Sequence, residues 1–94
     1  MPGTARARNL RGVPEPLASC VVRVHGRVQG VGFRWFVREQ MSWLGLTGSA
    51  RNLDDGTVEI SARGAGADIQ SLLAALRGPD APGRVDSVDV ARHG

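Results

Sequence analysis

Gly26-Arg27-Val28-Gln29-Gly30-Val31-Gly32-Phe33-Arg34 is the stretch from which both the fold and the chemistry of this chain are read. A β-branched run (Val21, Val22, Val24) leads into it, and a helix-like segment from Trp35 to Leu44 leaves it. The stretch is therefore a strand, a glycine-punctuated loop and a helix N-terminus. Its glycines allow tight turning and let backbone N–H groups approach a ligand closely. The first amides of the helix lack internal partners, and the helix dipole makes that end partly positive. Such a place suits an anion, phosphate above all. Arg34 stands where its planar fork can clamp phosphate oxygens in pairs. The plainer alternative is a tight turn with a solvated arginine.

Working outward, residues 20–26 read as a first strand, with Val22 and Val24 inward and Val21, Arg23 and His25 on a partly wet face. His25 is isolated, and without a partner to orient it reads as a solvated histidine rather than a general base. Cys20 opens this strand and reads as a buried, inert thiol. Phe33, Phe36, Val37, Met41 and Leu44 form one apolar stripe of a helix over 33–44, and Gly45 is its natural left-handed stop. Trp43 lies at the stripe's margin. Residues 46–53 read as a second strand, Asp54-Asp55-Gly56 as a hairpin turn, and 57–63 as a third strand with Val58, Ile60 and Ala62 inward. Gly64-Ala65-Gly66 is expected to break the chain. Ile69, Leu72, Leu73 and Leu76 then repeat as in an amphipathic helix, with Asp68 in its positive first turn. A last strand is expected over 85–90.

The order β-α-β-β-α-β predicts an α+β, ferredoxin-like sandwich: an antiparallel sheet with two helices on one face. Residues 1–18, with three prolines and scattered arginines, read as a disordered tail, leaving 19–94 as the one domain of a 94-residue chain. No apolar run reaches membrane-spanning length and no signal-peptide core is present, so a cytoplasmic, monomeric protein is expected. The single cysteine agrees with a reducing compartment.

All 12 basic residues are arginine, and the formal net charge is only +3. Arg6, Arg8 and Arg11 against Glu15 put +2 of it in the tail, leaving +1 for the domain. That is a poor electrostatic footprint for a nucleic-acid binder. The four aromatics, Phe33, Trp35, Phe36 and Trp43, lie in the first helix, so strands one and three offer nothing for base stacking. One cysteine and two distant histidines, His25 and His93, make no metal site, and no cofactor is expected. No Ser/His/Asp set or paired-carboxylate spacing stands out.

The opening stretch resembles the first signature of the acylphosphatases. Gly48-Ser49-Ala50-Arg51-Asn52, followed by Gly56-Thr57-Val58 and Gly64, resembles the second, and the eighteen positions from Arg34 to Asn52 also fit. The likeness covers about Ser19 to Val90. It departs from the family pattern at Ser49, where an aromatic is usual and which Trp43 is expected to compensate, and in lacking a further C-terminal edge strand. The resemblance implies metal-independent hydrolysis of small acyl phosphates to carboxylate and inorganic phosphate. Such an anhydride releases a carboxylate that leaves without a general acid. The protein's task is then to hold the phosphoryl group, spread its charge and place a water in line. By the same resemblance, the amides of Gln29, Gly30, Val31, Gly32, Phe33 and Arg34 cradle the phosphate, Arg34 neutralises it, and Asn52 orients the water. The alternative is a non-catalytic phosphate- or partner-binding module of the same fold. An open sheet edge favours it, because unpaired strand groups invite another chain or the tail to cover them.

Overall fold

The computed structural model describes residues 17–93. Their elements run β1 (Leu17–Arg27), α1 (Phe33–Leu44), β2 (Thr47–Asn52), β3 (Val58–Ala65), α2 (Gly66–Leu76) and β4 (Arg84–His93). The strands form one four-stranded sheet in the order β2-β3-β1-β4, and each neighbouring pair is antiparallel. This is the expected ferredoxin-like arrangement. β1 pairs with β3 without interruption from Leu17↔Ala65 to Val24↔Val58. Its ladder with β4 shifts register between Val21 and Val22 and again between His25 and Gly26, just before the loop.

Alternation along the strands sends Cys20, Val22 and Val24, Val58, Ile60 and Ala62, and Ala50 into the core. Phe33, Phe36, Val37 and Met41 of α1 and Ile69, Leu72, Leu73 and Leu76 of α2 meet them there. α1 packs on β2 and on α2, while α2 lies over β1 and β3. Fully burying a side chain of this kind contributes about 1.5–3 kcal/mol each before entropy is counted. The layer that carries the loop is thus rigidly seated from below.

Four sequence expectations change. β1 starts at Leu17, so residues 17 and 18 pair with Ala65 and Gly64 instead of belonging to the tail; the rest of the expected tail lies outside the described residues. Gly64-Ala65-Gly66 is no break: β3 runs through Ala65 and α2 begins at Gly66. Gly64 has a φ of 156°, a conformation that residues with side chains rarely adopt, and a Cβ there would also come within 2.5 Å of Cδ2 of the buried Leu46. Trp43 cannot stand in for an aromatic at Ser49. It is 81% exposed on α1, whereas Ser49 precedes the buried Ala50 and lies on the opposite, helix-free face. Finally, β4 is longer than expected. Its Val90 pairs with the buried Val22 yet stays 49% exposed, because β4 is an edge strand that neither helix covers extensively.

Candidate active site

The loop closes on α1 through Gly30 and Gly32, both left-handed, with φ of 76° and 84°. Nothing lies within 4 Å of where a Cβ would stand on either residue, so backbone conformation, not crowding, selects glycine here. Gly32 is the N-cap of α1. It supplies no side chain to cap the helix, and the first turn holds no acidic residue. The first internal bond is from Phe36 N–H to the Gly32 carbonyl at 3.0 Å. The amides from Gly30 to Trp35 donate to no acceptor among the described residues. They form a ring of donors at the positive end of a twelve-residue helix.

A concavity of about 160 Å³ opens at this point, lined by Val28, Gly30, Gly32, Phe33, Arg34, Trp35 and Arg38. Arg34 and Arg38 are one helical turn apart, on the same face. Neither is paired with a carboxylate among the described residues. On the outer face of the sheet, by contrast, Glu59 binds Arg51 at 3.0 Å and Arg23 at 3.6 Å. The mouth of the loop thus carries two uncompensated positive charges beside a set of open amides, an arrangement suited to a multiply charged anion.

Gln29 does something that its place in the loop does not reveal. Its side-chain amide donates to the Leu53 carbonyl and to the Thr57 carbonyl, each at 2.9 Å. These two carbonyls flank the neck of the β2–β3 hairpin, where Leu53 N–H also donates to Thr57 O at 2.9 Å. One side chain therefore ties the loop to the end of β2. Asn52 is the last residue of β2, paired with Val58 and exposed. The hairpin turn is held in its own right, with the Asp55 carboxylate accepting from the Thr57 amide at 3.0 Å and the Thr57 hydroxyl at 2.5 Å. Those bonds, the hydroxyl's first, hold the Asp55 carboxyl below its ordinary value.

Of the expected site residues, Gly30, Gly32, Phe33 and Arg34 line the concavity. Phe33 does so by its backbone, since its ring is buried in the core. Val31 is exposed at the loop's tip and Gln29 is turned toward the hairpin; neither side chain lines it. Asn52 does not line it either, and among the described residues it is linked to the loop through Leu53, its neighbour in the chain, whose carbonyl accepts from Gln29. His25 is half-exposed on the outer face and, against the expectation of an isolated histidine, has a partner, its Nε2 2.8 Å from Asp89 Oδ2; it does not line the concavity. Burial pushes the Cys20 thiol up, which makes it a poor nucleophile. Sequence reasoning missed Trp35 and Arg38 as lining residues, and missed the tie made by the Gln29 side chain. The i, i+4 spacing of Arg34 and Arg38 was a usable signal for Arg38. Nothing local announces that Gln29 reaches across 24 residues to Leu53.

Among the described residues, no group of three or more His, Cys, Asp or Glu side chains could hold a metal ion, and no helix is long and apolar enough to cross a membrane. The family model described as Acylphosphatase matches residues 20–94. An acylphosphatase of Mycobacterium sp. (strain KMS) is 53% identical over 74 residues, 79% of each chain. One of Saccharopolyspora erythraea is 57% identical over 65 residues, covering 69% of this chain and 68% of that one. The crystal structure of an acylphosphatase from Bacillus subtilis superposes with a TM-score of 0.73 at 37% identity, covering 84% of this chain and 86% of the other.

Proposed function

The chain belongs to the acylphosphatase family, hydrolases acting on acid anhydrides, and we propose that the α1 N-terminus is where it cleaves acyl phosphates. The open amides from Gly30 to Arg34 receive the phosphoryl oxygens, with the Gln29 amide at the rim of the cradle. Arg34 neutralises the charge that spreads over those oxygens as the anhydride bond breaks. Water attacks phosphorus in line with the departing carboxylate, and Asn52 orients it. An amide suits that task because it both donates and accepts hydrogen bonds and adds no negative charge beside an anion. The carboxylate leaves as a weak base, so neither a general acid nor a metal ion is required.

The observation that carries this reading is an uncapped helix start with two uncompensated arginines, tied by one glutamine to the strand that ends in Asn52. The same reading makes the protein a cytoplasmic monomer that binds neither nucleic acid nor membrane. The test is release of inorganic phosphate from acetyl phosphate in the presence of EDTA. Hydrolysis should persist there, and phosphomonoesters should be turned over far more slowly. Activity that vanishes with EDTA and returns with Mg²⁺ would refute it. Turnover, not phosphate binding, is what separates an enzyme from a binding module.

A further inference from the structure

The concavity at the start of α1 is lined by more than glycines and arginines. Trp35 lines the concavity beside Arg34 and Arg38, yet its side chain is 66% exposed. A large indole left open at the edge of a site is informative in a way that a scattered surface leucine is not. Packing does not explain it. Phe33 and Phe36 supply the apolar stripe of α1 and meet at 6.3 Å between ring centroids, and Trp35 lies off that stripe. Nor does a ring partner explain it, because no aromatic contact other than Phe33–Phe36 occurs among the described residues.

From this we infer that Trp35 is the specificity residue for the acyl group, and that it favours acyl phosphates with a planar aromatic acyl part. The inference rests on the phosphate cradle proposed above. With the phosphoryl group on the amides of α1's first turn, the acyl group must leave that turn toward solvent. Trp35 is the third residue of α1 and the apolar side chain that the concavity presents on its open side. A flat ring gains from offset stacking on an indole, whereas a methyl group covers little of it. Arg38 flanks the same opening and adds attraction for any anion, so it raises affinity without choosing between acyl groups.

The experiment compares acetyl phosphate with benzoyl phosphate in the wild type, Trp35→Ala, Trp35→Phe and Trp43→Ala. In Trp35→Ala the preference for benzoyl over acetyl, as the ratio of kcat/KM values, should fall by roughly threefold to tenfold relative to wild type. It should be largely restored in Trp35→Phe. Trp43→Ala removes a still more exposed indole from the far end of α1 and should leave the ratio unchanged. Affinities of the non-hydrolysable phenacylphosphonate and acetonylphosphonate should show the same pattern, which keeps the test independent of turnover. Equal losses for both acyl groups in Trp35→Ala, or an unchanged ratio, overturn the inference while leaving the hydrolase reading intact. Failure of wild type to hydrolyse either substrate overturns the hydrolase reading, and the phosphonate affinities then decide the role of Trp35 alone.

Discussion

The two helices of this protein begin in opposite ways. Neither has a side-chain cap. α2 enters from Ala65 in an extended conformation and carries Asp68 in its first turn, a negative charge at the positive end of a dipole. α1 enters from the left-handed Gly32, carries no acid, and places Arg34 at its second position. A cation there is electrostatically unfavourable by about 0.3–1 kcal/mol. A helix start arranged only for stability would look like α2. The difference is the one expected if the α2 terminus is balanced by a charge of the chain itself and the α1 terminus, as proposed, by an anion from solution.

Removing Arg34 tests that difference most severely. Arg34→Ala should lower turnover by ~10³–10⁵, the range lost when an arginine that stabilises a transferring phosphoryl group is deleted. Inorganic phosphate at a hundred times its dissociation constant should stabilise the wild type by ~2.7 kcal/mol, and much of that gain should vanish in the variant. Without phosphate, however, the variant should be no less stable than wild type. Calorimetry with and without phosphate measures both. A variant destabilised in phosphate-free buffer would mean that Arg34 serves the fold, and the contrast with α2 would collapse.

Asn52→Ala sharpens the comparison from outside the helix. Turnover should fall by ~10²–10³, as for loss of one preorganised hydrogen-bonding group. Phosphate affinity should hardly change, because the amides and Arg34 remain. Equal losses of phosphate binding in the Arg34 and Asn52 variants would show that the two residues form one binding site without division of labour.

Gln29 connects the two, and its loss should be smaller but broader. Gln29→Ala removes two hydrogen bonds at the hairpin neck, worth ~1–2 kcal/mol together. In a domain of this size each kcal/mol lowers the melting temperature by about 4–8 °C. Both carbonyls keep a backbone donor: Gly56 N–H reaches Leu53 O and Leu53 N–H reaches Thr57 O. The cost is therefore lost attachment, not orphaned acceptors, and kcat should suffer more than phosphate affinity as Asn52 drifts from the loop. A variant as active as wild type would detach Asn52 from the argument.

What the sequence disclosed follows from how local each cause is. α1 spans 33–44 as read, since its stripe and its glycine stop lie within the helix itself. The inward residues of β1 and β3 were likewise legible from alternation. Gly64 was misread because a glycine that turns the chain and a glycine that makes room for Leu46 look alike in one dimension. Trp43 was misplaced because spacing puts it near Ser49 along the chain but says nothing about which side of the sheet each occupies. The cradle's glycines and Arg34 were visible as a contiguous motif. The Gln29 tie and the exposed indole of Trp35 were not, because both depend on what the fold brings near them.

The smallest effect lies at α2. Asp68→Asn removes the charge that compensates that helix's dipole and should cost ~0.3–1 kcal/mol, read as a fall of a few degrees or less in melting temperature. Added salt should shrink the difference between variant and wild type, because an interaction of this kind at a helix end is screened. The decisive measurement is phosphate titration of the variant. Without that charge the α2 terminus keeps its dipole and its uncapped amides, but it is entered from the extended Ala65 and not from a left-handed glycine, and it has no arginine at its second position, which Ala67 occupies. Phosphate should therefore stabilise Asp68→Asn by the same increment as wild type, through α1 alone. A larger increment would mean that a bare helix start is enough to bind the anion. Gly30, Gly32 and Arg34 would then lose their special place in the explanation.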